Sequence, residues 1–176
     1  MMDYNAEEIP GPWRAGYSLD RHTVSSEYLG DDSFGNPVYD TVRTPLGELL
    51  FKLKYRGDES ALAPVIEVAL EFLGQWNPPV DLVVPVPPSN ENRKHQPVIR
   101  FAKALSGGAK IELCDDCVEK KTPTEQLKNV HVYAERVKIL RNVFGVEREK
   151  VDGHRILLLD DLFRSGATLS ALTQAL

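Results

Sequence analysis

The fold is decided by the stretch Ile156-Leu157-Leu158-Leu159-Asp160-Asp161-Leu162-Phe163-Arg164-Ser165-Gly166-Ala167-Thr168-Leu169. Its four leading apolar residues predict a central strand that is buried on both faces, as in a parallel sheet. Two adjacent carboxylates, Asp160 and Asp161, follow at the carboxyl end of that strand. A short loop with Gly166 then leads into a helix that begins near Thr168. Open α/β sheets bind ligands at the carboxyl ends of their strands, so we expect the binding site here.

The loop and the acidic pair suit different parts of one ligand. A helix N-terminus presents free N–H groups and a positive dipole end to a phosphate, and Gly166 allows close backbone approach. Ser165 and Thr168 add hydroxyl donors. Ionised Asp160 and Asp161 only accept hydrogen bonds, which suits sugar hydroxyls, and carboxylates beside a phosphate also suggest Mg²⁺. Together these groups suit a ribose 5-phosphate.

Two other interpretations fit parts of this stretch. An acidic pair after a strand is often a solvated loop, and a hydroxyl residue before a helix is often only its cap. A Walker-type nucleotidase also places a Mg²⁺-binding acid after an apolar strand, but it needs an upstream G-x-x-x-x-G-K-[ST] loop. The nearest candidate, Ser106-Gly107-Gly108-Ala109-Lys110, lacks both the spacing and the hydroxyl after the lysine. The nucleotidase is therefore rejected, and the solvated loop stays open.

Strands and helices alternate upstream of this stretch. The hydrophobic pattern predicts strands at 80–86, 109–113, 143–146 and 155–159, and helices at 60–73, 96–105 and 133–140. A short helix before them has Thr44 as its N-cap and Pro45 at its first position. We therefore expect an α/β fold with a mostly parallel central sheet flanked by helices.

Composition limits the class of protein. The chain has 176 residues, the size of one domain, and 42% hydrophobic with 27% charged residues is ordinary globular usage. The net charge of −5 disfavours a bulk polyanion binder. No apolar run approaches the roughly 18 residues of a membrane span, and the acidic N-terminus predicts no secretory signal. Only two cysteines, Cys114 and Cys117, occur, so we expect a cytoplasmic protein without a disulfide framework.

The deciding stretch resembles the phosphoribosyl pyrophosphate (PRPP) binding motif of type I phosphoribosyltransferases. The resemblance implies that Asp160 and Asp161 hold the ribose hydroxyls and form the catalytic pair. It implies Mg²⁺ as the cofactor, held indirectly by the same two acids through ribose or water. It also assigns the 5-phosphate to the following loop, which comprises Phe163, Arg164, Ser165, Gly166, Ala167 and Thr168.

The resemblance extends to the ComF-like branch, which is often described as predicted amidophosphoribosyltransferases. Lys54-Tyr55-Arg56-Gly57-Asp58 is similar to that branch's Lys-Tyr-x-Gly segment, and Val84-Pro85-Val86-Pro87 matches its Val-Pro-Val-Pro strand end. A pyrophosphate leaving group needs compensating cations, so we predict a pyrophosphate-binding loop after that strand, formed by Pro87, Pro88, Ser89, Arg93 and Lys94, with solvated surface charge as the alternative. Lys120 and Lys121 begin a long polar segment that predicts either a flexible lid or a plain disordered loop. The branch's four-cysteine zinc module has no counterpart here, because residues 13–42 contain no cysteine.

Three segments organise the chain under this resemblance. Residues 1–12 are predicted to be a flexible tail, 13–43 antiparallel hood-like strands, and 44–176 the phosphoribosyltransferase-like core. Only Leu169–Leu176 follow the phosphate loop, about two helical turns. The core is therefore expected to be short at its C-terminal end, with Leu169, Leu172 and Leu176 exposed or paired with another chain.

The implied reaction is displacement of pyrophosphate from PRPP by a small nitrogen-containing acceptor. Two alternatives are a non-enzymatic ComF-like accessory protein of DNA uptake and a PRPP-sensing regulator. The net charge disfavours the nucleic-acid partner, because single-strand binders use a basic, aromatic-lined groove. The identity of the acceptor and the oligomeric state, a homodimer included, stay open.

Overall fold

A computed structural model describes residues 2–88, 96–121, 140 and 143–176. The strands are β1 (Glu7–Glu8), β2 (Tyr17–Ser18), β3 (Thr23–Asp31), β4 (Pro37–Arg43), β5 (Leu82–Pro85), β6 (Glu112–Leu113), β7 (Val118–Lys120), β8 (Phe144–Val146) and β9 (Ile156–Leu159). The α-helices are α1 (Pro45–Phe51), α2 (Leu62–Trp76), α3 (Pro97–Ala109), α4 (Arg148–Val151) and α5 (Ala167–Ala175). A π-helical turn, Lys52–Arg56, follows α1, and a 3₁₀ turn, Glu59–Ala61, precedes α2.

A three-stranded parallel sheet in the order β6-β5-β9 lies between the helices. Leu82 of β5 is opposite Ile156 of β9, and Pro85 is opposite Leu159, so the two strands end together. The expected α/β class and the parallel sheet flanked by helices are confirmed. The parallel arrangement is confined to this sheet, because β1–β2, β3–β4 and β7–β8 are separate antiparallel pairs.

β9 is covered on both faces but does not lie in the middle of the sheet. Ile156 and Leu158 pack with one hydrophobic cluster, and Leu157 and Leu159 pack with the other. Among the strands described, β5 is the central one, and β9 pairs on one side only. The prediction of a central strand is therefore wrong in this respect. An unbroken apolar run indicates that both faces of a strand are buried. A strand at the side of a sheet has the same pattern when helices cover both of its faces.

Each face of the sheet has its own helical layer. Leu46 of α1, Val65 of α2 and Phe101 of α3 are buried in the cluster on one face. Leu172 of α5 and Phe144 of β8 are buried in the cluster on the other face. The sheet thus lies between two hydrophobic clusters, and loops follow the carboxyl ends of its strands.

The C-terminal helix is part of the core. Leu172 is fully buried, and Leu169 and Leu176 pack against the same cluster, so the expected exposure of these leucines is wrong. Arg148 donates to the carbonyl oxygens of Ala175 and Leu176 at 2.7 and 2.6 Å, which satisfies two acceptors at the helix end. The β7–β8 pair and α4 cover this helix. Helical periodicity does not predict such contacts between separate segments.

The N-terminal segment is not a free tail in the structure. Glu7–Glu8 pairs with Tyr17–Ser18, and the ring of Tyr4 contacts Phe72 of α2 edge-on at 6.5 Å between centroids. The indole nitrogen of Trp13 donates to the carbonyl oxygen of Ile9 at 2.9 Å. The prediction of a flexible tail over residues 1–12 is therefore corrected. The aromatic side chain of Tyr4 packs on an apolar surface of α2. The polar composition of residues 1–12 does not predict this contact.

The predicted antiparallel strands before α1 are present as the β3–β4 hairpin. Most of its side chains are exposed on both strands, including Phe34, which is 89% exposed. Thr44 caps α1 as predicted, since its hydroxyl accepts from the N–H of Gly47 at 2.9 Å. The same hydroxyl donates to the carbonyl oxygen of Arg21 at 2.7 Å. This fixes the root of the hairpin against α1.

Two helix predictions have different outcomes. The helix predicted over 96–105 is present, but it continues through Gly107 and Gly108 and ends at Lys110 in the left-handed region, with φ of 57°. The helix predicted over 133–140 lies outside the described residues except for Leu140. No helix in the described part of the chain combines the length and apolar character needed to cross a bilayer.

Gly47 is predicted to be required for the contact between α1 and the hairpin root. A Cβ atom at this position would overlap the backbone carbonyl oxygen of His22. We expect Gly47→Ala to lower the free energy of unfolding by about 1–3 kcal/mol, measured by urea denaturation. Gly74→Ala is the matched control, because nothing lies near its Cβ position in α2 and it should gain about 0.5–1 kcal/mol. Equal effects of the two substitutions would contradict the prediction.

Candidate functional site

The acidic pair stands where the apolar residues of β9 end. The N–H of Val86 donates to the carbonyl oxygen of Leu159 at 2.8 Å, so the sheet continues to this point. Oδ1 of Asp160 then accepts the N–H of Asp161 at 2.8 Å. Both carboxylates are partly buried and border a cavity of about 1430 Å³, called the main cavity below. The predicted pair therefore lies at the carboxyl edge of the sheet.

Lys54 holds the second of these carboxylates. Its Nζ lies 3.0 Å from Oδ1 and 2.8 Å from Oδ2 of Asp161, and the two side chains are 21% and 14% exposed. Lys54 belongs to the π-helical turn, which ends at Gly57 with φ of 66°. Such turns are rare overall, and those that occur are often found at functional sites. The sequence pattern did not assign Lys54 to the site, although its segment carries part of the family resemblance.

Asp160 is held in an environment that disfavours its charge. Burial and the neighbouring charge of Asp161 raise the pKa of Asp160 to about 6, against the opposing effects of the Asp161 N–H, Lys54 and Lys120. The carboxylate is therefore mainly ionised at neutral pH but costs folding free energy in that form. A ligand that donates hydrogen bonds to it would recover part of this cost.

The loop after the acidic pair ends in a helix N-terminus without a side-chain cap. Gly166 precedes the first residue of α5 with φ of 69°, a conformation that favours glycine. By helix geometry the first N–H groups of α5, those of Ala167 and Thr168 included, have no acceptor within the helix. Arg164 and Ser165 are exposed on the same loop. A helix N-terminus of this kind offers N–H donors to an anion, and the assignment of the 5-phosphate to this loop stays a prediction.

The predicted pyrophosphate loop is described only at its start. Pro87 and Pro88 come one residue after the end of β5, beyond Val86, at the same end of the sheet as the acidic pair. Ser89, Arg93 and Lys94 lie outside the described residues, so the role of this loop stays a prediction.

The two lysines predicted to open a lid lie on or beside a paired strand. Lys120 ends β7 opposite Phe144, and the N–H of Lys121 donates to the carbonyl oxygen of Val143 at 2.7 Å. Lys120 is close enough to lower the pKa of Asp160. Residues 122–139 lie outside the described part, and the lid itself stays a prediction.

Two residues that the sequence pattern did not assign to the site lie beside it. His22, interpreted from the sequence as a structural or surface residue, borders the main cavity together with Arg43 and Asp161. Phe163 and Arg164 of the predicted phosphate loop border the same cavity. His22 precedes β3 and Arg43 ends β4. The two residues lie close together because the hairpin brings its two ends together.

The carboxylates fit Mg²⁺ only as a partial site. Among the residues described, no group of three or more His, Cys, Asp or Glu side chains is arranged to hold a metal ion. Lys54 already contacts both oxygens of Asp161. Mg²⁺ commonly takes one or two protein carboxylates and completes its shell with phosphates and water. Asp160 and Asp161 fit that arrangement, with a phosphorylated ligand supplying the rest.

Comparison of the chain with family models, with curated proteins and with solved structures finds no match. The likeness to type I phosphoribosyltransferases therefore rests on the motif residues themselves.

Asp160→Asn is expected to stabilise the protein at neutral and higher pH. The folded-state pKa of about 6 lies above the ordinary 3.8, so the folded chain binds this proton more tightly than the unfolded chain does. The ionised group thus destabilises the fold above its folded pKa, and the penalty disappears as the pH falls toward the ordinary value. We expect a gain of about 1–2 kcal/mol at about pH 8, shrinking by about pH 4, from denaturation at both pH values.

Asp161→Asn is the matched control for this measurement. It leaves the Lys54 ammonium without its carboxylate partner, so the free energy of unfolding should fall rather than rise. A gain for Asp160→Asn that is equally large at both pH values would contradict the proposed cost of its charge.

Proposed function

We propose that this chain binds PRPP at the carboxyl edge of its parallel sheet and transfers the phosphoribosyl group to a nitrogen acceptor, releasing pyrophosphate. The observation that supports this most is the joint position of two features. The acidic pair of Asp160 and Asp161 and the uncapped N-terminus of α5 are connected by one short loop at the end of β9. Diol acceptors beside a phosphate site are what a ribose 5-phosphate requires.

In this proposal each part of the loop has one role. Asp160 and Asp161 accept hydrogen bonds from the ribose 2- and 3-hydroxyls. The backbone of Phe163–Thr168 receives the 5-phosphate, with Gly166 providing the close approach. Lys54 keeps the carboxylate of Asp161 in one orientation, since it contacts both of its oxygens. Mg²⁺, when bound, neutralises pyrophosphate charge.

The reaction needs no protein nucleophile. The bond between the anomeric carbon and the pyrophosphate oxygen breaks, and its electron pair leaves on pyrophosphate. The lone pair of the acceptor nitrogen forms the new bond to carbon, and the proton it releases is taken up by the departing pyrophosphate. The chain contributes positioning and charge compensation. Lys120, the last residue of β7, is a cation close enough to lower the pKa of Asp160.

The test is pyrophosphate release from PRPP and Mg²⁺ with a panel of nitrogen acceptors. Release is expected with the wild-type chain. It should fall by about 100-fold or more in Asp160→Asn/Asp161→Asn, because the ribose loses both ionised acceptors. Asp152→Asn is the control, since this acid is exposed beyond α4 and should leave the rate unchanged.

Three outcomes separate the proposal from its rivals. Thermal stabilisation by PRPP without release would replace the enzyme by a PRPP-binding regulator. Binding of single-stranded DNA without any response to PRPP would favour the accessory protein of DNA uptake. No response to either PRPP or single-stranded DNA would rule out all three functions.

A further inference from the structure

The β3–β4 hairpin presents an apolar surface to solvent. Most of the large apolar side chains that are exposed in the described part of the chain lie on it: Val24, Tyr28, Leu29, Phe34, Val38, Tyr39 and Val42. β3 and β4 form a two-stranded sheet of their own, without a third strand among the described residues. Two strands alone are marginally stable, and a further strand or a helix packed on them adds stability. A surface of this kind indicates an interaction site.

The two faces of the hairpin differ in what they adjoin. Directly paired residues share a face, and successive pairs alternate between the faces. Ser26 is paired with Thr41 and both border the main cavity, so this pair lies on the inner face together with the pair Tyr28–Tyr39. The opposite face, called the outer face below, is formed by residues that do not border that cavity: Ser25, Glu27, Val38, Asp40 and Val42.

Two carboxylates lie directly opposite each other on the outer face. Glu27 is paired with Asp40, and both residues are exposed. Neither side chain makes an ion pair or a hydrogen bond with a described residue. Like charges opposite each other in a ladder are destabilising. A lysine or arginine of a partner, placed between the two carboxylates, would relieve this repulsion.

The charge of the hairpin decides which kind of partner fits. Acids outnumber bases in residues 23–43: Glu27, Asp31, Asp32 and Asp40 against Arg43. The whole chain has a net charge of −5, so a second copy would bring like charge to this surface. Nucleic acids and anionic membranes are disfavoured for the same reason. Charge complementarity therefore favours a basic protein segment.

The outer face suits such a segment better than the edges of the hairpin do. The ladder has register irregularities in two places along β3, and bulges of this kind hinder the addition of a further strand. β4 begins with Pro37, which has no N–H to donate. Val38 and Val42, 41% and 52% exposed, lie on either side of Asp40 on the outer face. A helix with an apolar stripe and basic margins matches this order of groups.

We infer that the outer face of the β3–β4 hairpin is the docking surface for a basic amphipathic helix of a partner protein. Apolar side chains of the helix cover Val38 and Val42, and its lysine or arginine side chains pair with Glu27 and Asp40. The helix supplies the packing that a two-stranded sheet lacks. The inner face and the main cavity stay accessible, so the inference does not rest on the proposed transferase.

The test uses three synthetic peptides of about 18 residues, long enough to form a helix. The first has leucines along one helical stripe and lysines at its margins. The second has glutamates in place of the lysines, and the third has the composition of the first in an order that breaks the stripe. Binding to the full chain is measured by fluorescence anisotropy at about 0.1 M salt. We expect the first peptide to bind about tenfold or more tightly than either of the others. Equal binding of the first and third peptides, or no binding of the first, overturns the inference.

Two double variants test the residues of the outer face. Val38→Thr/Val42→Thr keeps the β-branched shape but removes apolar area, and it should weaken binding of the first peptide by about tenfold. Glu27→Gln/Asp40→Asn removes both charges and should weaken it by about fivefold. Wild-type affinity in both double variants overturns the assignment.

Two further variants are the matched controls. Glu149→Gln/Asp152→Asn also removes two exposed acids, but outside the hairpin, so peptide affinity should stay unchanged. Tyr39→Thr alters the inner face and should also leave the affinity unchanged. A tenfold loss in Tyr39→Thr would overturn the assignment to the outer face.

Hydrogen exchange of the wild-type chain makes the test independent of the folding of any variant. The first peptide should slow the exchange of amides in β3 and β4. Binding that leaves the exchange of both strands unchanged would place the peptide elsewhere and overturn the inference. Dimerisation of the wild-type chain in sedimentation, abolished in Val38→Thr/Val42→Thr, would replace the basic partner by a second copy.

Discussion

The ion pair between Lys54 and Asp161 joins two parts of the chain that are 107 residues apart in sequence. Lys54 comes from the helical layer on one face of the sheet, and Asp161 ends the strand that carries the acidic pair. Because the pair is largely shielded from solvent, breaking it would leave an uncompensated charge at the centre of the site. Tyr55 of the same π-helical turn borders the main cavity, so the ion pair links one wall of that cavity to the end of β9.

The two carboxylates of the site lie in different electrostatic environments although they are adjacent in the chain. Asp160 is destabilised by burial and by its neighbour, whereas Asp161 is compensated by lysine. One carboxylate is thus held by an ion pair, whereas Asp160 carries its charge in a less favourable environment. Burial lowers the pKa of His22, and the nearby cations Arg43, Lys54 and Arg164 lower it further, so positive charge lies in the same region as the acidic pair.

The sequence predicts the local units well, because their signals are local. The apolar run of β9, the acids after it and Gly166 before α5 are neighbours in the chain, and Thr44 caps α1 as its position indicates. The position of β9 at one side of the sheet among the described strands, the burial of Leu172 and the packing of Tyr4 were not predictable in this way. They depend on which distant segments cover a surface. The convergence of Arg43, Lys54 and Asp161 around His22 has the same cause.

The β3–β4 hairpin enters and leaves the body of the protein beside the main cavity, since Thr23 and Arg43 are paired across its root and both border that cavity. Its turn, residues 32–36, is exposed and remote in the ladder from that root. The length of the hairpin is therefore separable from the chemistry at its base, and closing a longer loop costs little extra entropy. For protein engineering, the turn is a natural insertion point: a peptide or small domain grafted there would be displayed outward while the residues that border the main cavity keep their spacing.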